Sequence, residues 1–221
     1  MANRHALGIA LGYTAGYVDT VGFVALSGLF TAHVTGNFVL IGSELAQPGH
    51  GVLIKLLAFP AFILGVVAAR LLALALEARQ RPAARALTLL QLLLLLAFML
   101  LGRAAWPVQQ TNALLPVLAG MAGAAAMGVQ NAASRLVWSE LAPTTVMTGN
   151  VTQLVLDLVD LARGNGAADT LSRLWKFLWP VLAFGLGALH GALAYLYGGF
   201  WALLLPMAML AGVLLQANNG R

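Results

Sequence analysis

Phe30-Thr31-Ala32-His33-Val34-Thr35-Gly36-Asn37 and Pro143-Thr144-Thr145-Val146-Met147-Thr148-Gly149-Asn150 are the two stretches on which the fold of this chain turns. Each carries Thr-Gly-Asn after a polar, threonine-bearing approach, and each runs on into a short apolar segment. Both interrupt sequence that is otherwise apolar enough for a bilayer, so each reads as a helix that starts inside the membrane. Asparagine is a strong N-cap, and Gln153, three residues after Asn150, completes the spacing of a capping box. A helix start in lipid leaves unpaired N–H groups and a positive dipole end, which only protein, water or a ligand can satisfy. Two such starts in one small chain point to a site.

The composition around them fixes the class. Of 221 residues, 61% are hydrophobic and 9% charged, against roughly 25% charged in a soluble domain. This is the composition of an integral membrane protein. A net charge of +5 does not mark nucleic-acid binding, because the basic residues stand between apolar runs without an aromatic-basic surface motif. The absence of cysteine excludes disulfides, thiol catalysis and thiolate metal sites. The run after Met1–His5 has no clear cleavage site and reads as a retained first span.

Apolar runs occupy about 6–30, 51–77, 86–102, 112–138, 174–197 and 200–217, each near the ~20 residues that cross a bilayer. Two further pieces, 38–46 and 151–162, are about half that length and read as half-helices. The halves then correspond. Gly8, Gly12, Gly16 and Asp19 match Gly120, Ala124, Gly128 and Asn131; the triplets match each other; and Phe59-Pro60, Gly65 and Arg70 match Trp179-Pro180, Gly185 and His190. Each half is span, half-helix, span, span. With re-entrant half-helices and a cytoplasmic N-terminus, Arg4, Arg79, Arg81, Arg85, Arg135, Arg163, Arg173, Lys176 and Arg221 lie inside, and Lys55 and Arg103 outside, as the positive-inside rule asks. Three crossings per half invert the second half relative to the first. The expected fold is all-α: six transmembrane helices plus two re-entrant half-helices in a 3+3 inverted repeat, one membrane domain over 1–221 with repeats near 6–102 and 112–217.

Gly16-Tyr17-Val18-Asp19, Thr35-Gly36-Asn37, Gly128-Val129-Gln130-Asn131 and Thr148-Gly149-Asn150 carry a resemblance over nearly the whole chain. The chain resembles the YoaK family of bacterial membrane proteins, a domain of unknown function. That resemblance implies a six-span inner-membrane protein and leaves the activity open.

The polar residues inside the spans are the functional candidates. Asp19 sits mid-span on the small-residue face of Gly8, Gly12 and Gly16, and an intramembrane carboxylate is a candidate for ion or proton coupling. Gln130 and Asn131 are its neutral counterparts, able to bind solute or to bridge helices. Thr35, Gly36 and Asn37 with Thr148, Gly149 and Asn150 are expected to line one solute site near mid-membrane. His33 can titrate near neutrality. Arg70 and His190 read as structural, and Asp157, Asp160 and Arg163 as an inner-surface charge cluster. Neither a Ser-His-Asp order nor a metal-ligand pattern is present, so no catalytic residue, metal or cofactor is expected. The expected function is transport of a small anionic or polar solute, proton- or ion-coupled through Asp19. The alternatives are a passive channel with opposed half-helices and a non-transporting scaffold or sensor. The expected partners are that solute and the lipid bilayer, without nucleic acid; a larger solute would need a homodimer to build the pathway.

Overall fold

The computed structural model describes the backbone of residues 2–46 and 51–216, and side chains over 5–46 and 51–215. The Arg4 side chain, Arg221 and the end of the last apolar run at 217 therefore lie outside the described residues. All regular structure among the described residues is helical: α1 Ala2–Ala25, α2 Gly36–Ala46, α3 Val52–Glu77, α4 Ala84–Ala104, α5 Leu114–Leu136, α6 Met147–Ala162, α7 Thr170–Gly198, a 3-10 turn Gly199–Leu203 and α8 Leu204–Gln216.

Among the described residues, five segments are long and apolar enough to cross a membrane. The last of them, Thr170–Leu215, is 46 residues long and contains α7, the 3-10 turn and α8. A continuous helix of that length would reach about 70 Å, more than twice the ~30 Å hydrocarbon core. It is broken instead at Gly199, whose φ of 55° and ψ of −140° no helix can carry.

The first apolar run, expected to continue as a span to residue 30, ends as a helix at Ala25. Ser27 takes φ 52° and Gly28 φ 81°, and the Gly28 N–H donates to the Phe23 carbonyl at 2.9 Å. This is the six-to-one bond of a Schellman close, with serine where glycine is usual. Residues 26–35 then run without regular structure into α2.

Two helix crossings organise the core. α1 packs chiefly on α7, and α3 on α5, while α4 flanks α5, and α8 leans on α1 and α4. At the first crossing a Cβ on Gly16 would fall on the Phe184 carbonyl oxygen, and one on Gly187 on that of Tyr13. At the second, Gly128 meets the Phe62 carbonyl in the same way and Gly65 that of Ala125. Small residues let backbones approach this closely, and in lipid such packing supplies much of the helix association. The two crossings repeat one four-residue pattern, which corrects a detail of the sequence matching. Gly65 takes the place of Gly187 rather than Gly185, because the close approach falls on Gly187 while Gly185 has open space around it.

The two short helices are peripheral. α2 packs on α3 and on no other element, α6 on α7 alone, and they make no contact with each other among the described residues. The side chain of Lys55, in the first turn of α3, donates to the Ser27 carbonyl at 2.7 Å, so α3 begins beside the end of α1. At the opposite end, the 140–142 segment that follows α5 lines a common cavity with His5 of α1 and Ser172 of α7.

Candidate polar core site

Asp19 is 4% exposed and organises the irregular segment after α1. Its Oδ1 accepts from the backbone N–H of Thr31 and of Ala32, both at 2.7 Å, and from the Thr31 hydroxyl at 3.3 Å. Its Oδ2 lies 2.7 Å from His33 Nδ1. Residues 31 and 32 have no helix or sheet to satisfy their N–H groups, and the carboxylate supplies the missing acceptors. The His33 ring remains 35% exposed and sits edge-on to Phe184 of α7, centroids 5.4 Å apart. A histidine–carboxylate hydrogen bond and an aromatic wall thus meet where α1, α7 and the segment before α2 converge.

The equivalent segment after α5 is held with neutral groups. Asn131 Nδ2 donates to the Thr145 hydroxyl at 2.6 Å. Gln130 donates to the Thr144 hydroxyl at 3.0 Å and to the Leu11 carbonyl of α1 at 2.9 Å, and accepts from Gln91 of α4 at 2.7 Å. Gln130, Thr144 and Thr145 are buried and Asn131 half-buried. Where the first half sets a carboxylate against backbone donors, the second sets amides against hydroxyls.

Neither asparagine caps a helix, contrary to the sequence expectation. Asn37 lies inside α2, where Oδ1 accepts from the Phe30 N–H at 2.9 Å and Nδ2 donates to the Phe30 carbonyl at 2.8 Å. Asn150 lies a turn into α6 and donates to the Pro143 carbonyl at 2.6 Å. Each asparagine therefore ties its helix to the backbone seven residues upstream. The cap role is unneeded in α2 because the N–H groups of Gly36, Asn37 and Phe38 bond the carbonyls of His33, Val34 and Thr35. In α6 the helix starts earlier, with Val146 at the N-cap and no side-chain cap. Gln153 donates to Asp157 at 3.0 Å, so the expected capping box does not form.

The structure thus gathers Asp19 with Thr31, Ala32 and His33, and gathers Gln130 and Asn131 with Thr144 and Thr145. It does not bring the two triplets together. Thr35, Thr148 and Gly149 are exposed, Gly36 is half-buried, and only Asn37 and Asn150 are buried.

Two ion pairs were not legible as pairs. Lys55, expected at the outer surface, is 1% exposed and binds Glu44 of α2 at 2.5 Å. Asp157, expected to cluster with Asp160 and Arg163, instead binds Arg173 of α7 at 2.9 Å. The two arrangements are alike: an acid toward the end of a short helix meets the fourth residue of the long helix that follows. Glu44 interrupts the 38–46 apolar piece, and that lone acid was the available signal. Arg70 and His190, read from the sequence as structural, each have a partner: Arg70 lies 3.8 Å from Glu77 at the surface, and His190 Nδ1 lies 2.8 Å from the Tyr13 hydroxyl.

The family model described as "Protein of unknown function (DUF1275)" matches residues 7–216. The chain is also 28% identical over 226 residues to the UPF0700 transmembrane protein YoaK of Bacillus subtilis (strain 168), covering 98% of this chain and 95% of that relative. No solved structure matches. With helices of membrane length, a transmembrane relative and a family match over nearly its full length, the chain is a membrane protein and belongs to the DUF1275 family of proteins of unknown function.

Proposed function

We propose that this protein is a transporter of a small anionic or polar solute in the bacterial inner membrane, built from two inverted repeats of span, half-helix, span and span. The observation that carries the proposal is the duplicated clasp: Asn37 to Phe30 and Asn150 to Pro143, each beside buried polar groups of a long helix. Irregular backbone at membrane depth is tolerated where it is buried in protein or lines a solute path, and paired broken helices are a recurring way to build such a path.

The half-helix reading rests on helix ends. The Lys55–Ser27 bond brings the start of α3 to the end of α1, which supports a path in which α2 enters and returns at one face. The cavity shared by residues 140–142 and Ser172 supports the same path for α6 at the other face. Six crossings follow when the break at Gly199 separates α7 from α8. The positive-inside rule then puts both termini in the cytoplasm.

Thr35 and Thr148 with Gly36 and Gly149 offer one polar face in each half, while Asn37, Asn150, Gln130 and Asn131 fix its shape. α2 and α6 leave apolar faces exposed, so a homodimer is the assembly in which those faces would line a common pathway. Asp19, paired with His33, is the coupling group; the second half, with Asn131 and Val146 in their places, cannot exchange a proton there.

A non-transporting scaffold is the second reading, and one observation favours it: both triplet asparagines are spent on their own backbone. Flux separates the two. Proteoliposomes are expected to take up one or more of phosphate, acetate and succinate saturably, faster under an imposed proton gradient, with that acceleration lost in Asp19→Asn. Uptake of all three at the rate of protein-free liposomes would favour the scaffold.

A further inference from the structure

The α1 and α7 ends that carry His5 and Ser172 enclose a cavity of about 300 Å³, lined by His5, Gly8, Glu140, Ala142, Ser172 and Lys176 among others. Among the described residues, the matching place at the far end of the bundle is filled. Gly120 takes the place of Gly8 in the matching of the two halves, and a Cβ there would lie 2.6 Å from Leu29 and 2.9 Å from Ile54. Among the described residues, a Cβ on Gly8 would meet only Pro180, at 3.6 Å. In the register set by the two glycine crossings, Leu29 corresponds to Ala142 and Ile54 to Lys176. The cavity exists because two side chains that plug one end are replaced at the other by a methyl group and by an ammonium.

That replacement gives the cavity a chemistry. Among the described residues Lys176 has no carboxylate within ion-pair distance, and its Nζ lies 5.9 Å from the centre of the Phe177 ring. Ser172 stands one helical turn from it, so hydroxyl and ammonium share one wall. His5 adds a ring nitrogen at the mouth. Glu140, itself engaged in other interactions, also lines the cavity, and its negative charge disfavours doubly charged anions. The volume is at the small end of ligand pockets.

We infer that this cavity is a binding site for a small soluble monoanion of the carboxylate class, with Lys176 as its charge partner and Ser172, whose hydroxyl donates to the Asp169 carbonyl at 2.8 Å, as a neighbouring polar wall. The site is distinct from the Thr-Gly-Asn faces and is read by thiol labelling, so it stands or falls independently of any flux.

The chain has no cysteine, so Ser172→Cys supplies one thiol in the cavity. Its labelling would be measured in neutral-lipid vesicles with anionic and cationic methanethiosulfonates of matched size, relative to a free thiol. An ammonium roughly 6 Å away in a water-like dielectric raises the anionic-to-cationic rate ratio about tenfold. Lys176→Gln is expected to return the ratio to that of the free thiol, and added acetate to slow labelling. Ala142→Cys gives a second thiol on the same cavity if Ser172→Cys does not fold. Leu29→Cys, at the plugged end, should stay unlabelled until denaturation. A ratio equal to that of the free thiol, or one unchanged by Lys176→Gln, overturns the site. Slowing by anionic lipid alone marks a lipid headgroup site and overturns the soluble-anion assignment, as does no slowing by acetate or lipid.

Discussion

Replacing Asn37 and Asn150 by alanine should have unequal consequences, because the two clasps differ by one hydrogen bond. Asn37 exchanges two bonds with Phe30, one to its N–H at 2.9 Å and one to its carbonyl at 2.8 Å. Asn150 makes one to the carbonyl of Pro143 at 2.6 Å, and proline has no N–H to offer the other side of the amide. A net intramolecular hydrogen bond is worth ~1 kcal/mol, and a buried backbone group left unpaired costs ~1–3 kcal/mol. Asn37→Ala should therefore lose about 2–4 kcal/mol and Asn150→Ala about 1–2 kcal/mol. A simple helix cap would lose ~1 kcal/mol at both positions. Reversible denaturation in mixed detergent micelles, followed by circular dichroism, reads the difference. Asn37→Asp is a useful intermediate: it keeps the acceptor for the Phe30 N–H and loses the donor to the Phe30 carbonyl. Equal losses near 1 kcal/mol at both sites would refute the clasp and restore the cap.

Asp19→Asn should stay folded, since an amide oxygen can still accept from Thr31 and Ala32, at a cost of about 1–3 kcal/mol for trading charge-assisted bonds for neutral ones; thermal unfolding in detergent checks it. Lys55→Met leaves Glu44 without its partner and should destabilise by about 3–5 kcal/mol, whereas adding Glu44→Gln should recover much of that loss. Denaturation of the single and double variants decides this, and no recovery in the double would count against the pair. Gly16→Ala and Gly128→Ala drive a methyl into the carbonyls of Phe184 and Phe62 and should each lower the melting temperature. Gly185→Ala, with nothing within 4 Å of the added carbon, should be neutral or mildly stabilising.

Length and hydropathy carried the broad features. The 38–46 and 151–162 pieces, read as too short to cross, appear as α2 of 11 residues and α6 of 16. What escaped the sequence is what depends on backbone placement. Ser27 in a left-handed conformation ends α1 early, and nothing in Leu26-Ser27-Gly28-Leu29 distinguishes that from a continuing apolar span. The asparagines were read through the local rule for caps, whereas their partners lie seven residues back on a chain that folds over them. The match of Gly65 with Gly185 followed the prolines Pro60 and Pro180; the crossing selects Gly187, because backbone approach to Tyr13 rather than the kink sets the register. The positive-inside rule places Lys55 on the outer side with no partner in view, and only the fold brings Glu44 and the Ser27 carbonyl to it.

The central claim is that α2 and α6 each leave the membrane by the face they entered. Single cysteines at His5, Gln80, Gln110 and Asn165, labelled with a membrane-impermeant maleimide in right-side-out and inverted vesicles, test it directly. The account expects His5→Cys, Gln80→Cys and Asn165→Cys to react from one side, the cytoplasmic, and Gln110→Cys from the other. If α2 crossed, the Gln80 position would move to the side opposite His5; if only α6 crossed, the Asn165 position would do so. Either result would contradict the inverted repeat.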